Sequence, residues 1–306
     1  MKLIPLFPGQ GSQALGMGKS WHENFSVCHD LFQLASDTLK IDFKRLCFEG
    51  PEEELVKTEN TQPCLLLVCF AGFKILEHEI GLKPAAAAGH SLGEYTALAA
   101  AGAISFEDAL RTVRRRGELM SQAAGPGAGM MAVLGLSAEQ AANLCEEAKG
   151  NDVLVPSNFN APGQVVISGH IAAIDRGQAI LKSRKQRGIR LKVSGAFHSP
   201  LMKDAALKLG EFLATINFNP PSFPVISNLE ARPYPGKTTE TLVRQMTSPV
   251  RWEESIKYLN QIQPDCFLEI GPGKVISGLV SKIAPQAKTL NFSESKDIVE
   301  IRHALG

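Results

Sequence analysis

The sequence has no cysteine pair spaced as CxxC and no cysteine–histidine cluster, although six cysteines and seven histidines are present. Tetrahedral zinc needs such spacing, so no metal site is expected, and Cys28, Cys47, Cys64, Cys69, Cys145 and Cys266 read as reduced core thiols. Net charge is lacking too: 32 basic and 31 acidic side chains nearly cancel, to a formal +1. No overall field draws the chain toward nucleic acid or an anionic membrane, so any basic site must be local. Long apolar runs are missing as well. The longest, Cys64 to Phe73, is broken by Lys74 and is too short to span a bilayer. The N-terminal stretch MKLIPLFPGQGSQ meets Pro5, Pro8 and Gly9 before an export segment could develop. The expectation is a soluble, cytoplasmic enzyme with no membrane or nucleic-acid partner; neither sequence repeats nor low-complexity segments are visible.

What is present falls into alternating elements. A chain of 306 residues can bury the core of one large α/β domain with an insertion, or of two modest domains. In the N-terminal half, LIPLF precedes a Gly-rich turn, and a helix is predicted from about Thr61 to Ile80, ended by Gly81. Ala85 to Ala88, between Pro84 and Gly89, reads as a strand although alanine favours helix, and another helix follows. This βα alternation predicts a parallel sheet.

After Gly125-Pro126-Gly127-Ala128-Gly129 the pattern changes to MMAVLG, a helix over Ser137 to Lys149, VLVPS, a turn at NAPG, QVVISG, a second helix and RLKVS. That βαββαβ order predicts a ferredoxin-like subdomain of about 65 residues inserted into the larger domain. Alternation then resumes through PVISN, a helix near Val243, CFLEIG, a helix from Lys274 and a last apolar run, KTLNF. The expected division is 1–126 with 196–306 for the large domain and 127–195 for the small one, the two facing each other across a cleft.

Gly89-His90-Ser91-Leu92-Gly93 matches GxSxG, whose glycines let a strand turn sharply into a helix and leave the serine Oγ exposed. A helix starting at Leu92 would aim its N–H groups and positive dipole end at that point, where an oxyanion can be stabilised. A tight turn with a capping serine fits the same pentapeptide equally well. A serine hydroxyl is a poor nucleophile until a base takes its proton, so the reactive reading needs a histidine. His22, His29, His78 and His303 lie in polar or helical stretches, and His170 stands at a helix start. His90 is adjacent to Ser91, so its ring should project differently and pack or hydrogen-bond locally. His198, in Gly195-Ala196-Phe197-His198-Ser199-Pro200, lies where the chain returns from the inserted unit and so borders the cleft. Taken alone, it also fits a structural role.

Gly9-Gln10-Gly11-Ser12-Gln13-Ala14 formally fits the dinucleotide pattern GxGxxA, but no second strand ends in an acidic residue about twenty positions on, as ribose recognition needs. Such a loop can equally offer backbone or Gln10 donors to an active site. Gly271-Pro272-Gly273 is a weaker version, or simply a turn before a helix. Arg114, Arg115 and Arg116 separate on a helical wheel: Arg114 falls with Glu107 and Glu118, and Arg115 with Asp108, Arg111 and Gln122. Arg116 alone shares a face with Ala109, Thr112, Val113, Leu119 and Met120, and so points inward. A buried guanidinium needs an anion, either an internal Asp or Glu or a substrate carboxylate held by two parallel hydrogen bonds.

Taken in order, FPGQGSQ at 7–13, GHSLGEYTAL at 89–98, RRRGELM at 114–120, NFNAPGQVVISG at 158–169, GAFHSPLM at 195–202 and LEIGPGKVISGL at 268–279 resemble malonyl-CoA:acyl carrier protein transacylases over nearly the whole chain. The resemblance implies an α/β, hydrolase-like core with a parallel sheet and an inserted ferredoxin-like subdomain. It implies a Ser/His dyad in the cleft, here Ser91 and His198, with no triad acid. The other imidazole nitrogen would be oriented by the backbone carbonyl of Gln245, and the oxyanion would rest on the N–H groups of Gln10 and Leu92. Arg116 occupies the position that pairs with the malonyl carboxylate, and Asn160 would line the acyl or pantetheine path. In this family and its polyketide relatives, leucine after the nucleophile and phenylalanine before the histidine accompany malonyl preference, and Leu92 and Phe197 stand there.

The implied reaction is ping-pong transfer of malonyl from malonyl-CoA, through a malonyl-serine, to the phosphopantetheine thiol of holo acyl carrier protein. This would supply the extender unit for fatty acid synthesis, with the CoA thioester as substrate and with neither metal nor redox cofactor. An acyltransferase loading a polyketide synthase, a thioesterase or esterase sharing GxSxG, and a nicotinamide-binding protein are the alternatives.

Overall fold

The computed structural model describes residues 1–306 except Ala124, Pro126, Ser194 and Gly306. The described residues hold nine strands: β1 (Leu3–Phe7), β2 (Ala87–Gly89), β3 (Ala128–Leu134), β4 (Leu154–Ala161), β5 (Gln164–His170), β6 (Arg187–Arg190), β7 (Val225–Ile226), β8 (Cys266–Ile270) and β9 (Thr289–Phe292). Five of them form one sheet in the order β7-β2-β1-β8-β9, with every pairing parallel. β1 and β8 are buried along their whole length, as strands covered on both faces must be.

The side-chain period of two divides this sheet's residues between two cores. Leu3, Phe7, Ala87, Val225 and Leu268 face the helices Thr58–Ile80 and Phe106–Ala123, whereas Ile4, Leu6, Ala88, Ile226 and Phe267 face Trp252–Gln261 and Val275–Ile283. Of the alanine run expected as a strand, only Ala87 and Ala88 enter β2, with Gly89; their small side chains fit between two helical layers, where tertiary packing outweighs alanine's helix preference. The helix expected from Thr61 begins one turn earlier, at Thr58, and stops at Gly81, which takes the left-handed conformation (φ 62°).

The other four strands form an antiparallel sheet in the order β4-β5-β3-β6, connected β3, helix Ala138–Lys149, β4, β5, helix Ile171–Ser183, β6. This is the ferredoxin-like unit. Ser137 caps its first helix in a reciprocal box with Gln140. One face of the sheet packs on these two helices, while Met130 and Val166 project from the other face into the main core. The unit is also stitched to the large part by backbone: Phe159 donates to the Val250 carbonyl and Val250 to that of Ser157, each at 2.9 Å.

Two details depart from the sequence reading. The last strand of the small sheet is Arg187–Arg190 rather than RLKVS, and Leu191 extends the pairing by one bond to Met130 before the chain leaves for the cleft. An amphipathic helix, Trp252–Gln261, stands between the helix near Val243 and β8 where none was expected. The loop after β1 reaches no helix until Lys19, so the helix N-terminus that a dinucleotide site requires does not stand at Gly9–Ala14. The expected domain boundary after residue 126 falls on Pro126, outside the described residues. All six cysteines are buried and unpaired. Among the described residues no helix is long and apolar enough to cross a membrane.

Candidate active site

β2 ends at Gly89, and the chain turns through Ser91 into the helix Gly93–Ala100. Ser91 sits at the turn with φ 51°, in the left-handed region. Both glycines of the motif are sterically required. A Cβ on Gly89 would lie 1.9 Å from the carbonyl group of Gly93, and one on Gly93 would lie 2.2 Å from the carbonyl oxygen of Phe7 in β1. Asn228, just beyond β7, clasps the turn from outside: its Nδ2 donates to the Gly89 carbonyl and its Oδ1 accepts from the Ser91 N–H, both at 2.7 Å.

His198 is brought against this turn by the segment leaving the small unit, and it too has a left-handed backbone, φ 56°. Its Nε2 lies 2.7 Å from Ser91 Oγ, and its Nδ1 lies 2.8 Å from the main-chain carbonyl oxygen of Gln245. A carbonyl only accepts, so the ring proton resides on Nδ1 and the lone pair of Nε2 faces the serine hydroxyl. Burial, followed by the nearby Arg116 cation, lowers the His198 pKa from its ordinary 6.5 to about 3. The imidazole is therefore neutral at neutral pH, the form a base needs.

Arg116 is buried, with 1% of its surface exposed, as the wheel predicted. Its Nη1 donates to Gln62 Oε1 at 2.9 Å, and its Nη2 donates to Gln245 Oε1 at 3.0 Å and to Ser91 Oγ at 3.1 Å. Its Nε has no partner, and the guanidinium lies 5.3 Å above the Tyr95 ring. Among the described residues no carboxylate bonds it directly; the nearest internal acid, Glu94, acts on it only at a distance, through the field and the Gln245 amide. Burial of an unpaired cation disfavours its charge and lowers its pKa.

Ser91, His198 and Arg116 open into a cavity of about 270 Å³ between the two sheets. Gln10 and Leu92 line it, and among the described residues their backbone N–H groups donate to no carbonyl or side chain. Asn160 and Phe197 line it as well; Asn160 Oδ1 meets His90 Nε2 at 2.8 Å, and the His90 ring packs against Trp252. Ser91, His198, Arg116, Gln10, Leu92, Asn160 and Phe197 thus line one cleft, and Gln245, behind it, bonds His198 and Arg116.

Sequence reasoning missed Gln62, Asn228, Glu94 and the side chain of Gln245. Glu94 left a visible signal, a lone acid in the apolar run GEYTALAA, and the structure buries it fully. Among the described residues no group of three or more His, Cys, Asp or Glu side chains could hold a metal ion.

Residues 5–291 match the acyl transferase domain family. The malonyl CoA-acyl carrier protein transacylase of Bacillus subtilis (strain 168) is 45% identical over 302 residues, spanning 97% of this chain and 95% of that protein. The protein of the same name from Escherichia coli (strain K12) is 43% identical over 282 residues, 91% of each chain. The crystal structure of malonyl CoA-acyl carrier protein transacylase from Clostridium perfringens superimposes with a TM-score of 0.96 at 37% identity, over 100% of this chain and 97% of that one.

Proposed function

This chain belongs to the acyl transferase family, and from that premise we propose that it transfers the malonyl group of malonyl-CoA to the phosphopantetheine thiol of holo acyl carrier protein through a malonyl ester on Ser91. The observation that carries the choice of acyl group is Arg116: a buried guanidinium, hydrogen-bonded to the reactive hydroxyl and to two amides, with an unpartnered Nε and no bonded carboxylate. A malonyl carboxylate supplies the missing anion; an acetyl group does not.

In the first half-reaction Ser91 Oγ attacks the thioester carbonyl carbon as His198 Nε2 takes its proton. The tetrahedral oxyanion rests on the N–H groups of Gln10 and Leu92. The C–S bond breaks, and the CoA sulfur leaves with the proton from His198. The Gln245 carbonyl bonded to Nδ1 holds the imidazole in the required tautomer and offers a partner to the imidazolium while it exists. In the second half-reaction His198 takes the proton of the pantetheine thiol, the sulfur attacks the ester carbonyl, and Ser91 Oγ leaves and recovers the proton. The thioester brings its own leaving group, and the amides and the dyad supply the rest, so no cofactor enters.

Leu92 and Phe197 flank the reacting serine and histidine, and their bulk favours an unbranched acyl group; Asn160 borders the path by which the thioester arm enters. In this reading the large domain, 1–126 with 196–306, carries the dyad, the oxyanion amides and Arg116, while the small one, 127–195, closes the cleft. The product is the extender unit of fatty acid synthesis. The six unpaired thiols suit a cytoplasmic site.

The test is intact mass after brief exposure to malonyl-CoA, with Ser91→Ala and acetyl-CoA as controls, followed by addition of holo acyl carrier protein. One malonyl unit on the native chain, absent from Ser91→Ala and passed on to the carrier, is the expected result. Release of CoA with neither adduct nor transfer would make the protein a hydrolase instead.

A further inference from the structure

Glu94 is the second residue of the helix that follows the Ser91 turn, and it is completely buried. Its Oε1 accepts from the Tyr234 hydroxyl, and its Oε2 accepts from Gln245 Nε2 at 2.7 Å. Gln245 is the joint of the site. Its Nε2 also donates to the Ser91 carbonyl oxygen at 3.0 Å, its Oε1 accepts from Arg116, and its main-chain carbonyl accepts from His198.

A side-chain amide can turn end for end with little change of shape, but a turned Gln245 would aim N–H groups at a guanidinium that is itself all donors. Two acceptors on the far side hold it: the Ser91 carbonyl and an ionised carboxylate both only accept, so Nε2 must meet them, which leaves Oε1 for Arg116. A protonated carboxyl has an O–H to give and meets a turned amide as readily, which leaves the Ser91 carbonyl alone to hold Nε2 and loosens Arg116's acceptor.

We infer that Glu94 is a positioning residue whose ionised carboxylate fixes the Gln245 amide toward Arg116 and, through that amide, balances the buried guanidinium until a substrate carboxylate arrives. The inference rests on the reading of Arg116 as the malonyl partner. Burial raises the Glu94 pKa from 4.5 to about 7, against the opposing pull of Tyr234, Gln245, the Asn228 backbone and Arg116. The charged or titratable groups that face it are Tyr234 from the loop after β7, Tyr95 beside it and Arg116 from the helix Phe106–Ala123. His198 and His90, both held below 6.5 by burial, add no competing protonation near 7.

The experiment follows Ser91 malonylation and acetylation by intact mass from about pH 5.5 to about pH 8.5 for the native chain, Glu94→Gln and Tyr234→Phe. Native malonylation should fall below about pH 7, by about tenfold per pH unit, as expected for one required ionisation, while acetylation, which brings no carboxylate to Arg116, should fall far less. Glu94→Gln should remove that acid limb, because its neutral amide does not titrate, and should hold malonylation near the low-pH native level at every pH. Tyr234→Phe deletes one donor to Glu94, leaves Gln245 untouched, and should move the limb to higher pH; it also keeps the idea testable should Glu94→Gln not fold. A limb with an unchanged midpoint in Glu94→Gln, or malonyl and acetyl rates falling in parallel, overturns the inference and leaves the transfer reading intact. No malonylation at any pH overturns the transfer reading, and this inference with it.

Discussion

The guanidinium of Arg116 donates to the hydroxyl of Ser91 across 3.1 Å, while the same hydroxyl faces the imidazole of His198 at 2.7 Å. One oxygen thus stands between a base and a cation. The base draws its proton away, and the cation favours the negative charge left behind. An acyl group esterified to that oxygen is formed beside the cation, so a carboxylate at its far end can take over the hydrogen bond that the free hydroxyl made. In the proposed reaction Arg116 therefore meets the free hydroxyl first and the carboxylate of the acyl group afterwards.

Arg116→Ala should consequently change which donor is accepted rather than abolish all chemistry. Malonyl transfer is expected to drop about 100-fold or more, in line with the roughly 3 to 5 kcal/mol lost when a buried charge pair is broken. Acetyl transfer should persist or rise, since no unpaired cation then remains beside a neutral acyl group. Steady-state rates with the two CoA thioesters decide this, and an equal loss of both would refute the selective role.

The turn at Ser91 is held by contacts that leave no room for a methyl group. With its Cβ only 2.2 Å from the Phe7 carbonyl oxygen, Gly93→Ala must push the helix start away from β1, backbone against backbone. A loss of about 3 kcal/mol of stability or more is expected, at the upper end for overpacking. Urea denaturation measures it; a midpoint equal to that of the native chain would mean the elbow is looser than its geometry indicates.

Glu94 has a second consequence, for stability. Its folded pKa, about 7, lies above the ordinary 4.5, so the native state holds this proton more tightly than the unfolded chain does. The stability linked to that proton is fully present below about pH 4.5 and is lost as pH rises through about 7, to the extent of about 3 kcal/mol. Glu94→Gln does not titrate. Its melting temperature relative to the native chain should therefore rise between pH 5 and pH 8, and a difference that stays constant would exclude Glu94 as the titrating group.

The parts of this architecture that were legible in the sequence are those with local causes. The apolar strands β1 and β8, the helix starting at Ser137 and the GxSxG elbow are each specified within a few neighbouring residues. The βαββαβ order showed because its turns carry glycine, proline and asparagine. β6 did not: Arg187–Arg190 is held by pairing with β3 and has no apolar alternation of its own. The helix Trp252–Gln261 shows Trp252, Ser255, Ile256 and Leu259 at helical spacing, but its N-cap, Arg251, carries no capping side chain to mark its start.

Within the site, Arg116 was legible because a helical wheel separates it from its two arginine neighbours. Asn228 and the Gln245 side chain were not, because their roles exist only across separations of 137 and 151 residues, where single-sequence patterns carry no signal. The family resemblance supplied Gln245 for its backbone carbonyl alone.

The two residues assigned the chemistry, Ser91 at φ 51° and His198 at φ 56°, are also two of the non-glycine residues that the fold holds in the left-handed region. Each such residue typically costs the native state about 1 to 2 kcal/mol that glycine would not. A laboratory search that scored only resistance to heat would therefore be drawn toward glycine at both places. It would deliver a sturdier protein with its cleft intact and nothing in it able to accept or pass on an acyl group.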